Sequence, residues 1–188
     1  LRRTVIILAA LILVTLFATG AVGASIARVK DLVDTVHIAL SPAVGWPQQT
    51  GLDNLTAAQP MSGSFVAMDE DACVVYSLGG TRLAGIQSGY ARPALAAGKT
   101  RFVLYNRSGN ELRVESRTQN LYSKTLENSI YLCAMSDTGT LAVATDSADS
   151  TARLTVYTPT MTEQLQWDMT SAQGTPVRMA FAADSRRL

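Results

Sequence analysis

The stretch of sequence that decides the fold is "SIYLCAMSDTGTLAVATDSADSTARLTVYTPTMTEQLQWDM", residues 129–169. Its apolar pieces are short and are separated by clusters of Ser, Thr, Asp, Gly and Pro, which is the pattern of strands joined by turns. "SIYLCAM" and "TLAVAT" are almost continuously apolar, as strands covered on both faces are, whereas "RLTVYT" alternates in polarity like a half-exposed antiparallel strand. With "EQLQWDM" as the last piece, the stretch predicts a small antiparallel unit of four strands.

The same unit recurs along the chain. When the strands that follow a polar turn are aligned, the intervals are 37, 39 and 47 residues between Phe65, Phe102, Leu141 and Leu188. A period of about 40–50 residues is typical of four-stranded propeller blades, which bury their faces only by stacking on neighbouring blades. We therefore predict an all-β fold, a partial β-propeller of about three four-stranded antiparallel blades. This domain spans residues 64–188 and is expected to be incomplete at its C-terminal end.

The N-terminal segment predicts a membrane anchor. Residues 4–24 contain no charged side chain, and these 21 residues exceed the length that a helix needs to cross a bilayer. Arg2 and Arg3 precede the segment, which favours a cytoplasmic N-terminus and an extracytoplasmic domain. We assign residues 1–25 to one transmembrane helix of a single-pass cell-membrane protein. Small residues around Ala24 are also compatible with a cleaved signal peptide, so cleavage stays an alternative.

Residues 26–40 continue at helical spacing. The apolar positions advance in alternating steps of three and four residues through Ile26, Val29, Val33, Val36 and Leu40. The stripe covers only about two heptads, fewer than a coiled-coil assignment requires. It therefore predicts a juxtamembrane helix packed on its own domain or, alternatively, a short dimerising stalk. Pro42 ends the helix, and the proline- and glycine-rich residues 41–63 are predicted to form a linker.

The segment from "SGYARPALAAGKTRFVLYN", which begins at Ser88, to the C-terminus resembles an uncharacterised bacterial family, the domain of unknown function 5711 family. The order of basic N-terminus, spanning helix, spacer and repeats is similar as well. The resemblance implies a membrane-anchored, propeller-type ectodomain with further blades, and it implies no activity. WD40 and quinoprotein propellers are similar in architecture. However, Trp167-Asp168 is the only Trp-Asp pair and no Gly-His pair precedes it.

Asp137-Thr138-Gly139 has the form of an aspartic-protease half-site. Such an enzyme needs two aspartates that share a proton, and the sequence contains no second Asp-Thr-Gly or Asp-Ser-Gly. In the repeat alignment the tripeptide coincides with the polar residues 98–101 and 184–187. We therefore predict a hairpin turn, in which the aspartate accepts local hydrogen bonds and the glycine supplies a positive φ.

The remaining candidates favour structural roles, so no catalytic, cofactor-binding or metal-binding residue is predicted. Cys73 and Cys133 lie on apolar strands of different repeats and are interpreted as core thiols, with a disulfide as the alternative. His37, the only histidine, has no nucleophile pattern around it. The acidic run 69–71 lacks calcium-loop spacing and is interpreted as a solvated turn. Packing between blades, rather than a recognition surface, is predicted for the aromatic residues Tyr76, Tyr90, Tyr105, Tyr122, Tyr131, Tyr157 and Trp167.

These features favour a binding or scaffold function. Beyond the first 30 residues the chain carries 12 basic and 15 acidic side chains and no basic stripe, so we set nucleic-acid binding aside. The leading hypothesis is a membrane-anchored extracytoplasmic propeller that binds a protein, a peptide or a cell-envelope component. One alternative is a propeller enzyme with a site in the channel of further blades. Another is a sensor or assembly factor that dimerises through residues 26–40. Fold alone does not decide among them.

Overall fold

The computed structural model describes residues 21–185 and 187–188, with the side chains of its helix described from Val29 onward. The elements in this part of the chain are α1 (Ala21–Leu40), β1 (Ala57–Met61), β2 (Ser64–Met68), β3 (Ala72–Ser77), β4 (Arg82–Gln87), β5 (Pro93–Ala97), β6 (Arg101–Asn106), β7 (Glu111–Ser116), β8 (Asn120–Thr125), β9 (Ile130–Met135), β10 (Leu141–Thr145), β11 (Ala152–Tyr157) and β12 (Glu163–Met169). Helix α1 ends one residue before the Ser41-Pro42 pair.

The predicted transmembrane anchor, residues 1–25, lies almost wholly outside the described residues. In the part that is described, no helix combines the length and the apolar character needed to cross a membrane.

The strands form three four-stranded antiparallel sheets in which each strand pairs with the next one along the chain. We call them blade 1 (β1–β4), blade 2 (β5–β8) and blade 3 (β9–β12). The prediction of repeated four-stranded units is confirmed, and the architecture is propeller-like. The repeat alignment is also confirmed for three of its four positions, since Phe65, Phe102 and Leu141 all lie on the second strand of a blade. Leu188 lies outside any strand.

The β domain begins earlier in the chain than the predicted boundary at residue 64. Blade 1 begins at Ala57, inside the predicted linker 41–63, because β1 pairs along its whole length with β2. The sequence of β1, "AAQPM", has little strand propensity and contains Pro60, which cannot donate to a ladder. Proline is tolerated here because β1 is the first strand of its sheet and has a ladder on one side only.

The rest of the predicted linker packs on the outer face of blade 1. The ring of Trp46 lies 5.6 Å, between centroids, from both Phe65 and Tyr76. The hydroxyl of Tyr76 donates to the carbonyl of Gln49 at 3.2 Å. At the other end of the stack, Met179 and Phe181 pack against the outer face of blade 3. Both outer faces therefore carry a covering segment from the same chain.

The core consists of two apolar layers, one between each pair of adjacent blades. Successive residues of a strand point to opposite faces of its sheet. In β6, Phe102 and Leu104 accordingly face blade 1, whereas Val103 and Tyr105 face blade 3. All four side chains are buried. A strand in the middle of the stack must be apolar on both faces, which explains the continuous apolar run "FVLY" at residues 102–105.

Each blade repeats one irregularity at its third strand. The pairing with the fourth strand shifts register directly after Val75, Val114 and Val156. Two residues later a hydroxyl residue begins the turn, and its hydroxyl accepts a backbone N–H hydrogen bond at 3.0 to 3.2 Å, as seen for Ser77, Ser116 and Thr158. A β-bulge followed by a Ser/Thr turn therefore marks the repeat as clearly as the strands do.

Adjacent blades are also joined by hydrogen bonds. The side-chain amide of Gln59 on β1 donates to the carbonyl of Leu95 at 3.2 Å and accepts from the N–H of Ala97 at 2.6 Å, both on β5. A short parallel bridge links Arg107, just after β6, to Ile130 on β9. The first strands of the blades are thus tied to the neighbouring blade through polar as well as apolar contacts.

Candidate interaction site at the helix-docking end

Helix α1 lies across one end of the blades, which we call the docking end. It is formed by the turns that join the first to the second strand and the third to the fourth strand of each blade. In blade 1 these are residues 62–63 and 78–81, and in blade 2 residues 98–100 and 117–119. The helix contacts this end mainly through charged and polar side chains, and two arginines supply most of the partners.

Arg117 is the largest fully buried side chain of the described residues. Its guanidinium donates to the carbonyl of Ser62 at 2.9 Å, to the carbonyl of Asp31 at 3.1 Å and to the hydroxyl of Thr35 at 2.6 Å. Its Nε lies 3.5 Å from the carboxylate of Asp34, too far for a well-formed hydrogen bond. A buried charge requires such partners. Arg117 therefore joins blade 1, blade 2 and the helix at a single point.

Arg101, at the start of β6, is 2% exposed and provides the second anchor. Its Nε lies 3.2 Å from both carboxylate oxygens of Asp31, and its Nη1 donates to the carbonyl of Pro159 at 2.7 Å. Two threonines complete the contact, since Thr100 donates to Asp31 and Thr118 donates to Asp34. The helix is thereby connected to blade 3 as well, through the turn that contains Pro159.

The residues of α1 that face the blades share one side of the helix because they are three or four positions apart. They are Asp31, Asp34, Thr35 and Ile38. Ile38 is the one apolar member and is 7% exposed. We call these four residues the docked face.

The opposite side of α1 carries the apolar stripe that the sequence predicted. Its exposed fractions are 58% for Val29, 62% for Val33, 50% for Val36 and 79% for Leu40, with Leu32 beside them at 63%. We call these five residues the exposed stripe. The helix does pack on its own domain, as the first of the two predicted alternatives stated. It does so through the face opposite the one that the pattern indicated.

A cavity of about 360 Å³ follows one flank of the exposed stripe. It is lined on the helix side by Val29, Val33 and His37, and on the blade side by Gln119 and Leu121. The only histidine of the chain is therefore an exposed residue of this surface. The cavity extends the apolar surface of the helix onto blade 2.

The Asp-Thr-Gly tripeptide is a hairpin turn between β9 and β10, as predicted. Gly139 has a φ of +85°, and its N–H donates to the carbonyl of Ser136 at 3.0 Å. The predicted role of the aspartate is wrong, because the hydroxyl of Ser136 accepts the local N–H of Thr140 at 2.9 Å. Asp137 instead points towards blade 2, where its carboxylate lies 2.8 Å from Nζ of Lys99.

The two cysteines are free and buried, each in a different layer of the core. The prediction of core thiols is thus confirmed and the alternative of a disulfide is excluded. Burial, with a smaller contribution from Glu115, raises the pKa of Cys73 to about 12. Burial also raises the pKa of Cys133 well above its usual value. Neither thiol is therefore suited to nucleophilic chemistry, which requires the thiolate.

The acidic run 69–71 forms a turn between β2 and β3. The carboxylate of Asp69 accepts N–H hydrogen bonds from Asp71 at 2.9 Å, Ala72 at 2.7 Å and Asp53 at 3.1 Å. The bond from Ala72 is the main cause of a lowered pKa of Asp69. Unlike its exposed neighbours, Asp69 is buried and organises the turn. In residues 21–185 and 187–188, no group of His, Cys, Asp or Glu side chains could hold a metal ion.

Packing between blades is confirmed for Tyr105 and Tyr157, which are buried in the layer between blades 2 and 3. Tyr76 is also buried, but it packs on the outer face of blade 1 against Trp46. Trp167 departs from the prediction, because it lies on the outer strand β12 and is 49% exposed. Its neighbour Asp168 accepts two hydrogen bonds from Arg153, the shorter at 2.6 Å. The Trp-Asp pair is therefore part of an exposed edge and not of a blade interior.

A second cleft, of about 340 Å³, lies between the outer strands of blades 2 and 3. Its charged lining residues are Lys124, Glu127, Arg153 and Glu163. The two cations have partners, since Nζ of Lys124 lies 4.3 Å from the centre of the Tyr157 ring and Arg153 is paired with Asp168. Acidic and basic groups balance in this cleft, so its charge selects neither anions nor cations.

Comparisons with known proteins give the following matches. The sequence profile of a family of unknown function, DUF5711, matches residues 45–188. The WD40 domain of Neurospora crassa Pan2 aligns with a TM-score of 0.43 and 13% identity, over 61% of this chain and 36% of that one. A Bacteroides fragilis protein predicted to be exported aligns with a TM-score of 0.42 and 16% identity, over 63% and 39%. The chain thus spans less than two fifths of either structure. No curated protein matches the chain.

Proposed function

The chain belongs to the DUF5711 family of unknown function, and we propose that it is a membrane-anchored protein whose propeller-like domain acts outside the cytoplasm as a binding or scaffold module. The observation that carries the proposal is the docking of α1. The uncharged residues 4–24 extend into the first four residues of the helix, which is fixed to all three blades through Arg101 and Arg117.

This docking makes the helix a rigid support for the β domain. A flexible tether would leave the orientation of the domain undefined, whereas two buried guanidinium groups bond the helix to the blades at several points. A module that presents a surface to partners binds them more favourably when its orientation is fixed, because less conformational entropy is lost on binding. The end of the blades opposite the docking end is turned away from the helix and is the surface available for presentation.

The first experiment tests the anchor and the orientation. We expect the full chain to stay with the membrane during alkaline carbonate extraction, and a variant lacking residues 1–24 to be released. In intact cells, a membrane-impermeant maleimide should label Val177→Cys, because Val177 is 84% exposed. The unmodified chain is the control, since both of its thiols are buried. Release of the full chain, or labelling only after lysis, would contradict this part of the proposal.

The second experiment tests the binding function. A photo-crosslinking amino acid at Glu70 or Asp149 places the probe on exposed turns at the end opposite the helix. We expect a discrete crosslinked species at these positions in native membranes and none at Trp167 on the outer edge. An anchored, folded chain that gives no discrete species at either turn would count against a binding module.

A further inference from the structure

We propose that the exposed stripe of α1 is a contact between two copies of this chain, which pair as a short parallel two-helix coiled coil. The proposal rests on the proposed function for the common orientation of both chains and for their confinement in one membrane. The pairing itself is argued from the helix and its two faces.

The spacing of the exposed stripe fits a helix–helix seam. From Val29 the stripe advances by four, three and four residues to Leu40, and Ile26 precedes Val29 by three. The alternation of three and four is the a/d pattern of a coiled coil, which a partner helix fills by knobs-into-holes packing. With Ile26, Val33 and Leu40 at a positions and Val29 and Val36 at d positions, the seam consists wholly of aliphatic side chains.

The opposite face of the helix is already occupied. Asp31 and Ile38 take the f positions of the heptad, diametrically across from the seam, and both face the blades. In an isolated coiled coil these positions would face water. Here they hold the β domain, so each helix can pair through its stripe without leaving its own blades. The acidic groups Asp31 and Asp34 are paired with arginines and lie away from the seam.

The membrane segment explains why a second copy is the occupant and why the pair is parallel. The uncharged residues 4–24 extend into the start of α1, so two anchored copies would present their stripes side by side and in the same direction. Confinement in one bilayer raises the effective concentration of each helix for the other. A seam of about two heptads, which is too short for stable pairing of free helices in solution, becomes sufficient under these conditions.

Disulfide formation between introduced cysteines tests the geometry. Single cysteines are placed in the full chain at Val29, Val33 and Val36, and at the flanking exposed positions Lys30 and His37. A disulfide requires Cα atoms within about 7 Å of each other, which a parallel seam provides at a and d positions but not at the flanks. We expect disulfide-linked dimers at 29, 33 and 36 and little at 30 and 37. The native thiols are buried and do not interfere.

A charge substitution with a matched control completes the test. Val33→Glu places a charge in the seam, and we expect the dimer fraction of the Val36→Cys chain to fall about tenfold or more. Val177→Glu makes the same change at an exposed position far along the chain, and it should leave the dimer fraction unchanged. Limited proteolysis between α1 and β1 checks that the helix stays docked in both variants.

Three outcomes would overturn the pairing. Equal crosslinking at seam and flanking positions would indicate random collision. Absence of crosslinking together with protection from a water-soluble maleimide would indicate that lipid or another part of the protein covers the stripe. Absence of crosslinking with full maleimide reactivity would show a monomer. Periodic crosslinking of a chain that alkaline carbonate releases would support the pairing but contradict the anchor and the confinement argued from it, so the two proposals fail separately.

Discussion

The two faces of helix α1 reverse the usual arrangement of a surface helix. Such a helix normally turns its apolar stripe towards the core and its charges towards water. In α1 the docked face contains two aspartates and a threonine, whereas the apolar stripe is 50% to 79% exposed. The comparison teaches that a hydrophobic pattern indicates which face of a helix favours burial but does not identify the surface that buries it. The docking end offers buried arginines, and the helix meets them with its acidic side.

The two faces also differ in what they contribute energetically. The desolvation penalty of a buried ion pair offsets much of the attraction between its charges. The docked face therefore contributes little to net stability and more to fixing how the helix sits on the blades. Removing one partner is a different matter, because the remaining charge stays buried and unpaired. The exposed stripe has the opposite character, since each side chain gains about 1.5–3 kcal/mol only when a partner fully covers it. Substitutions on the two faces should therefore affect different measurements.

The largest effect is expected for Arg117→Ala. It removes the cation that lies beside the Asp34 carboxylate and the guanidinium donor to the carbonyl of Ser62, and we expect the free energy of unfolding to fall by about 3 kcal/mol. Urea-dependent pulse proteolysis of the full chain measures this change. Arg153→Ala is the control, because its ion pair with Asp168 is exposed and should contribute less than about 1 kcal/mol. Similar losses for both arginines would show that burial at the docking end has no special importance.

Ile38→Ala is expected to have the next largest effect. Ile38 is the one apolar residue of the docked face, and its truncation should lower the free energy of unfolding by about 2 kcal/mol. The matched control is Val36→Ala on the opposite side of the same helix. Hydrogen exchange of the α1 amides should accelerate in Ile38→Ala and not in Val36→Ala. Equal acceleration in both variants would contradict the assignment of the faces.

The same contrast between buried and exposed polar groups should hold at the β9–β10 turn. Ser136 is 1% exposed and its hydroxyl caps the turn, so Ser136→Ala should cost about 1 kcal/mol. Asp137→Ala removes only the exposed pair with Lys99 and should cost less than about 0.5 kcal/mol. Thermal unfolding of the two variants provides the comparison. A larger loss of stability for Asp137→Ala than for Ser136→Ala would indicate that the aspartate, as predicted from the sequence, stabilises the turn through local hydrogen bonds.

The smallest effect on stability is expected for Val36→Ser. Val36 is half exposed, so the free energy of unfolding of the separate chain should change by less than about 0.5 kcal/mol. Dilute, detergent-solubilised chain is suited to this measurement, because self-association is then weak. A loss of several kcal/mol would mean that the stripe is part of the core of a single chain.

The sequence predicts the blades well because their signals are local. Continuous apolar strands, polar turns and the spacing of Phe65, Phe102 and Leu141 all follow from residues close together in the chain. The first strand was missed because Pro60 and its alanine neighbours give it no strand character, and only pairing with β2 makes it one. A usable signal did exist for the repeat, namely a valine followed two residues later by Ser or Thr, as at Val75, Val114 and Val156.

The candidate site could be predicted only in part. Periodicity correctly placed the stripe on a helix that ends at Leu40. Nothing local connects Asp31 to Arg101, 70 residues away, or Asp34 to Arg117. Isolated arginines in turns are usually solvated, and their burial here depends on the helix that arrives from outside the repeat. Which face of α1 docks is therefore a property of the assembled blades and not of the helix sequence.

The side-chain amide of Gln59 affects how the β domain unfolds. Its carbonyl and NH₂ bond to β5 as a peptide group of an added strand would, so blade 1 is connected to blade 2 by directional bonds as well as by an apolar layer. Repeat proteins whose neighbours share only a weak interface can lose terminal units one at a time. Here, fraying of blade 1 would break these bonds and expose the Phe102 layer in the same step. Blades 1 and 2 should therefore melt in one cooperative transition, and a mechanical pull on α1 would be borne by both.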